Sequence, residues 1–421
     1  MKKILALTLA AMMSLSLAAC GGSEGSSAAE ETASTGAAST GAASEAAEEG
    51  GDTAASGETI KVGLMVTTTG ENAMYGNAVK NGARLYIDQA NAAGGINGKQ
   101  IEVVEYDDKG DSTEAVTNFN RMLDDGITAV IGAVLTGPTI ALADETYNIN
   151  MPQISASATA AGVTVIDPTD PESEVRTNVF RACFIDPFQG EKMAEYASER
   201  LGATTAAVIF ENGNDYSVGL KDAFVAKCEE LGIQVVATEA YSTGDVDFKA
   251  QLTNIAGQNP DVVFSPNYYE DDGMIVTQAR EVGVTGTFLG GDGWGSVKNY
   301  ASAEDLEGSV YCSGYAPGSS DAVKQFEADY QAAYGEDIPN MFAPLGYDAA
   351  MLMLNAIQAA EEQGLEACTD EYYQAVIDAM SATEGLEGIT GTYQFDEQNN
   401  PIKSAAIMKL EGGDEVFTEL F

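Results

Sequence analysis

The sequence predicts an α/β protein built as two doubly wound lobes. Three observations point there. Short apolar strand-like runs recur between amphipathic helical stretches, the pattern of parallel sheets covered on both faces. The alternation runs through two successive series, which suits two lobes better than one long sheet. From Ile60 to Phe421 there are 362 residues, enough for two ordinary domains.

In chain order, Ile60–Val66 is a β-rich run, and Tyr75–Ala93 has helical spacing that Gly94-Gly95 ends. Ile101–Tyr106 is the next strand. Asp111 or Ser112 caps a helix through Leu123, followed by a buried-type strand over Thr128–Ile131. Thr136-Gly137-Pro138 opens a helix with proline at its first position. The second series predicts strand Val179–Phe184, helix Phe188–Leu201, strand Ala206–Phe210, helix Val218–Leu231 and strand Ile233–Thr238. It continues with helix Phe248–Ala256, strand Asp261–Ser265, helix Gly273–Val282 and strand Thr287–Leu289. After strand Val310–Gly314 come helical stretches Ala322–Tyr334, Phe342–Ala360 and Glu371–Met380. Two strands, near Thr392–Phe395 and Ala405–Leu410, are expected to close the chain.

The N-terminus reads differently. Met1-Lys2-Lys3, an apolar run from Ile4 to Leu17 and then Leu17-Ala18-Ala19-Cys20 describe a secretory signal over residues 1–19. Leu-Ala-Ala-Cys resembles a bacterial lipobox, in which the cysteine thiol receives a diacylglycerol. Cys20 is therefore expected to be lipidated, and two acyl chains give stable anchoring. Residues 20–58 form an acidic linker of Gly, Ala, Ser, Thr and Glu with no aromatic residue. Such a segment cannot bury enough apolar area to offset its chain entropy. As a flexible coil it would span roughly 30–35 Å. These features place the protein on the outer face of the cell membrane, away from cytoplasmic ATP and NAD.

Lys2 and Lys3 leave with the signal, so 18 of 20 bases remain against 65 acids, a net charge of −47. Eight of those acids lie in the linker, which leaves the folded part at −39. Charge of that sign repels phosphate backbones and anionic lipid, which excludes nucleic-acid binding. The chain has no histidine, so His triads, His bases and the common zinc sites are excluded. No nucleophile elbow or phosphate loop occurs, and Gly291-Asp292-Gly293-Trp294-Gly295 lacks the third glycine of a dinucleotide loop. An enzyme is not expected, nor are a cofactor or a metal. Four cysteines follow Cys20: Cys183, Cys228, Cys312 and Cys368. Their spacing selects no pairing, and Cys183 and Cys312 in apolar runs read as buried free thiols.

In open α/β sheets ligands bind at the carboxyl ends of strands, so the loops after strands carry the chemistry. Those of the first half, Leu135–Thr139 and Ser155–Thr159 among them, are rich in hydroxyls and lack basic residues. Backbone N–H groups at the helix start with Thr136 and Thr159 hydroxyls could hold a carboxylate without arginine. The second half offers Asp292 beside Trp294, and Tyr268-Tyr269. An acid opposite an anion-binding loop, with aromatics between, matches a zwitterion such as a free α-amino acid. Each residue alone also fits a turn, a cap or ordinary packing. Their common place on ligand-side loops is what favours a site.

Ile60-Lys61-Val62-Gly63, Asn81-Gly82-Ala83, Asn91-Ala92-Ala93-Gly94-Gly95-Ile96-Asn97-Gly98 and Tyr106-Asp107-Asp108 resemble the branched-chain amino-acid-binding family, the substrate-binding proteins of ABC importers. The likeness continues through Phe180-Arg181, Gln278-Ala279-Arg280 and Gly346-Tyr347-Asp348-Ala349-Ala350, covering essentially Ile60 to Lys409. It implies that the ligand's carboxylate meets Thr136 and Thr159. Its ammonium would meet the Ser157 carbonyl and Asp292, with Ala158 in the same loop. Tyr75, Tyr216, Tyr268 and Phe342 would line the side-chain pocket. Family members often carry Ser at Thr136 and Glu at Asp292, and the shorter Asp leaves the leucine preference open. The family fold implies three crossings between lobes, near Arg181, Tyr315 and Gly391. These divide the chain into residues 59–180 with 316–390, and 181–315 with 391–421. It also implies a monomer that delivers its ligand to an ABC permease driven by ATPase subunits, with contact to the membrane only through the lipid. Competing expectations are a receptor for a small amide or organic acid, a sensory domain acting through a partner, and a secreted hydrolase. The missing histidine disfavours the last.

Overall fold

A computed structural model describes residues 58–421. The expected signal, the Cys20 lipidation site and the linker up to residue 57 lie outside the described residues. The first series runs β1 (Thr59–Val66), α1 (Ala73–Ala92), β2 (Gln100–Asp107), α2 (Ser112–Asp124), β3 (Ala129–Ile131), α3 (Thr136–Asn148), β4 (Gln153–Ser155) and β5 (Val179–Arg181). The second runs α4 (Asp186–Glu199), β6 (Thr205–Glu211), α5 (Asp215–Leu231), β7 (Gln234–Tyr241), α6 (Lys249–Gln258), β8 (Val262–Phe264), α7 (Tyr269–Val282), β9 (Thr287–Gly290), α8 (Ala303–Leu306) and β10 (Val310–Ser313). Then follow α9 (Asp321–Tyr334), α10 (Phe342–Glu361), α11 (Asp370–Ser381), β11 (Glu384–Glu387), β12 (Thr392–Gln394), β13 (Ala406–Glu411) and β14 (Asp414–Leu420).

Two large sheets result. One has the order β2-β1-β3-β4-β5, all parallel, with β1 and β2 in register from Thr59 opposite Gln100 to Val66 opposite Asp107. The other has the order β14-β13-β10-β9-β8-β6-β7, in which only β13 runs against the rest. Strands β3, β4, β5 and β8 are wholly buried, as crossover helices on both faces require. Asp111 caps α2 by accepting the N–H groups of Thr113 and Glu114 at 2.8 and 2.9 Å.

Helix α1 meets α10 with almost no space between backbones. A Cβ on Gly82 would fall 1.8 Å from the Ala343 carbonyl oxygen, and one on Gly346 would fall 2.3 Å from that of Val79. The two glycines thus seat together the helices that begin near Tyr75 and at Phe342.

Three differences from expectation have local causes. Strand β4 was invisible because Gln153 and Ser155 are polar; the Gln153 amide is satisfied by Thr146 Oγ1 at 2.6 Å and the Gly132 carbonyl at 2.9 Å. Pro138 is the third rather than the first residue of α3, where its missing N–H still costs no helical bond. The chain does not close on β13: a turn at Gly412-Gly413, with φ of +63° and +94°, returns it as β14.

Passage between sheets occurs after β5, after β10 and before β13. The last lies later than Gly391. Tyr393 Oη donates to Asp348 Oδ2 at 3.0 Å, Phe395 packs 5.1 Å from Phe180, and Asn399 Nδ2 reaches the Val179 carbonyl at 3.1 Å. Residues 392–399 therefore stay on the first lobe, and the exchange falls between residues 401 and 405. Cys183, Cys228 and Cys312 are buried free thiols, and Cys368 is exposed and free.

Candidate functional site

The loops at the carboxyl ends of both sheets meet around one small cavity. From the first lobe come Val134, Leu135 and Thr136 after β3, Ser157 after β4, Tyr75 of α1 and Phe342 of α10. Opposite stand Tyr216 of α5, Tyr268 after β8, and Asp292 and Gly293 after β9. Seven of the nine residues read from the sequence are brought together here. Ala158 and Thr159 are not in the lining. The Ala158 carbonyl accepts from the Arg181 guanidinium at 2.9 Å, and its N–H donates to Ser155 Oγ at 3.1 Å, so both its polar groups are committed elsewhere. Thr159 is buried, its hydroxyl without a partner.

Thr136 opens α3, a helix whose N-cap, Leu135, offers no side-chain acceptor. The first-turn N–H groups of such a helix have no intrahelical partner and carry the positive end of its dipole. Ser157 Oγ donates to the Val134 carbonyl at 2.7 Å, tying the two hydroxyl-bearing loops to each other.

Asp292 faces them, 2 % exposed. Its backbone N–H donates to Gln189 Oε1 at 2.8 Å, and its Oδ1 accepts from Gln189 Nε2 at 3.2 Å. Oδ2 has no partner. Burial pushes the carboxyl up to about 6, against the opposing pull of Tyr216 and Gln189. A half-satisfied buried carboxylate is a demanding group: it calls for a donor, best a cation.

The walls are aromatic. Tyr216 stacks on Tyr268 with centroids 5.1 Å apart and planes within 9°, and Tyr75 meets Phe342 edge-on at 4.9 Å. Tyr216 Oη accepts the Gly293 N–H at 2.8 Å. Trp294, expected beside the acid, turns away into the core, fully buried with its Nε1 donating to the Ser265 carbonyl at 2.7 Å. Gln189 and Val134 escaped the sequence reading, while Leu135 and Tyr269 stand in loops that it singled out without giving these two residues a role. Gln189 lies in a helix-start segment, and only its spatial approach to residue 292 shows its role.

Among the described residues no cluster of three metal-ligating side chains occurs, and no helix is long and apolar enough to cross a membrane. Two parallel-sheet lobes closing on a small, mixed polar and aromatic cavity define a two-lobed ligand-binding protein. The chain belongs to the periplasmic binding protein family, whose sequence pattern matches residues 59–414. It is 30% identical over 364 residues to a Leu/Ile/Val-binding protein, BraC3, of Rhizobium johnstonii, covering 86% of this chain and 94% of that one. The branched-chain amino-acid transporter substrate-binding protein LivJ of Streptococcus pneumoniae, solved with isoleucine, is 34% identical with a TM-score of 0.77, covering 86% and 99%. A leucine-binding protein LivK of Thermotoga maritima is 30% identical with the same TM-score and coverage.

Proposed function

We propose that the protein captures a free α-amino acid, branched-chain or otherwise apolar, between its lobes and delivers it to an ABC permease. The reading rests most on the opposition of an uncapped helix start at Thr136 to the unpartnered Oδ2 of Asp292. The first suits a carboxylate and the second an ammonium, each answering a group that is otherwise unsatisfied. In this reading Thr136 and Ser157 orient the carboxylate, and Asp292 takes the ammonium. Tyr75, Tyr216, Tyr268, Phe342, Val134 and Leu135 enclose an apolar side chain. The names of the relatives, Leu/Ile/Val-binding and leucine-binding, support the same ligand class. Ala158 contributes by holding its loop through Arg181 rather than by touching ligand.

The lobes would act as jaws that close about the three passages, and the closed form would dock on the permease. The Cys20 lipid would keep the protein at the outer membrane face, with the acidic linker as its leash.

A thermal-shift screen of unfolded and refolded protein against the amino acids, urea and small amides tests the reading. A rise in melting temperature with leucine, isoleucine or valine is expected. Stabilisation by amides or simple carboxylic acids and by none of the amino acids would refute it.

A further inference from the structure

The second lobe brings its part of the cavity on three separate loops, and one buried side chain outside the lining joins them. Asn267 stands between β8 and α7, directly before Tyr268, and is 1 % exposed. Its Oδ1 accepts the Glu211 N–H at 3.1 Å, where β6 ends, and Ser217 Oγ at 2.9 Å, one residue past Tyr216. Its Nδ2 faces three acceptors: Ser265 Oγ at 3.1 Å, with the Ile209 carbonyl and Asp272 Oδ1 both at 3.2 Å. The third loop is pressed against its backbone. A Cβ on Gly293 would fall 2.3 Å from the Asn267 carbonyl oxygen.

The partners are shared among themselves. Ser217 Oγ also accepts the Glu211 N–H at 3.0 Å, Ser265 Oγ donates to Asp272 Oδ1 at 2.6 Å, and the Ser265 carbonyl accepts Trp294 Nε1 at 2.7 Å. An amide suits the centre of such a network because one rigid plane accepts at one end and donates at the other. Here the oxygen end meets an N–H and a hydroxyl, and the nitrogen end meets acceptors. An acid would lose the donors, and an apolar residue would lose both ends. In a buried place each unmet bond is costly. The result of this linkage is visible in the wall itself: Tyr216 and Tyr268, carried by different loops, stack with their planes within 9°.

We propose that Asn267 is a positioning residue for ligand selection: by tying the loops of Tyr216, Tyr268 and Gly293 together, it fixes the aromatic wall and so the side chain that the cavity admits. The inference rests on the amino-acid reading and deepens it. Asp292 has its own support, since Gln189 of α4 holds both its N–H and its Oδ1, at 2.8 and 3.2 Å. The hold on the ligand's head group and the choice among side chains therefore depend on different residues. Choice among apolar side chains is a matter of fit, in which one methylene in a well-shaped pocket is worth roughly tenfold or more. A wall whose loops can drift apart no longer measures that methylene.

Titration calorimetry of the refolded intact chain with L-leucine, L-isoleucine and L-valine tests the proposal. The three ligands share one head group and differ only in side chain, so the ratios of their affinities read the wall alone. Asn267→Leu keeps the bulk of the side chain and removes every bond of the amide. It is expected to change the leucine-to-valine or isoleucine-to-valine ratio by about threefold or more, beyond any loss common to all three. Ser217→Ala cuts only the tie to the loop of Tyr216 and is expected to move the same ratios by a smaller factor. It carries the test if circular dichroism shows that Asn267→Leu does not fold. Ratios equal to wild type in the folded variants, whether all three ligands weaken together or none does, would overturn the inference and leave the amino-acid reading standing. Wild-type protein that binds none of the three would refute the branched-chain reading, and the inference with it.

Discussion

The Tyr75 phenol, carried by the first lobe, donates to the Gly293 carbonyl of the second and accepts the Tyr269 N–H at 3.1 Å. The link is returned from the other side. Tyr269 Oη donates to the Glu71 carbonyl at 2.5 Å and accepts the Met74 N–H at 3.3 Å. The rings of Tyr75 and Tyr269 meet edge-on at 4.6 Å. The closed cleft is thus held by contacts between the lobes that need no ligand.

Tyr269→Phe removes both bonds of its hydroxyl while keeping the ring. Each neutral bond contributes about 0.5–1.5 kcal/mol, so the closed form should lose about 1–3 kcal/mol. Apparent affinity should fall by a similar factor for leucine and isoleucine alike, because the population of the closed form changes and not the pocket. Small-angle scattering of the ligand-free variant should show a larger radius of gyration. Wild-type affinity and radius together would show that this pair does not hold the lobes closed.

Asp292→Ala should leave the fold intact and weaken amino-acid binding by about 2–5 kcal/mol, the range for truncating one partner of a buried charge pair. Calorimetry on refolded protein measures it. An unaltered dissociation constant would take Asp292 out of the site.

Acid should weaken binding. Asp292 titrates near 6 in the folded, empty protein against an ordinary value of 3.8. Between those values the folded state holds the extra proton, so this group's destabilisation of the empty protein is full above pH 6 and gone below about pH 4. The ammonium needs the ionised form, and affinity should therefore decline below pH 6, towards tenfold per unit. Leucine titrations from pH 7.5 to 5 provide the measurement. A flat profile would mean that the carboxylate does not pair with the ligand.

Gly82→Ala forces a methyl group to 1.8 Å from the Ala343 carbonyl oxygen, contact that only a shift of α1 or α10 relieves. The cost should be about 1–3 kcal/mol, read as a lower melting temperature. Those helices present Tyr75 and Phe342, so leucine affinity should fall as well. Wild-type values for both would disprove the close contact.

Much of the site was legible because its residues follow strands. Thr136, Tyr216, Tyr268 and Asp292 lie just past apolar runs that the composition marks clearly, whereas Ser157 follows the polar strand β4, and parallel sheets put such loops on one edge. Tyr75 and Phe342 were found through family likeness and not through any local signal. Ala158 and Thr159 are adjacent in sequence to a lining residue yet are not in the lining, and Arg181 holds their loop through the carbonyls of Ala158 and Ala160. No local signal gave Gln189 its place beside Asp292, since a glutamine in the first turn of a helix is ordinary there.

The order of residues alone decided the α/β class, the two series of strands and helices, and the acidic character, because periodicity and composition act locally along the chain. The tertiary structure decided which carboxylates lack partners, that Trp294 faces the core, that residues 392–399 remain on the first lobe, and that Tyr75 bridges both. Those outcomes depend on contacts between segments far apart in the chain, where packing and hydrogen-bond satisfaction, not local preference, determine where a side chain goes.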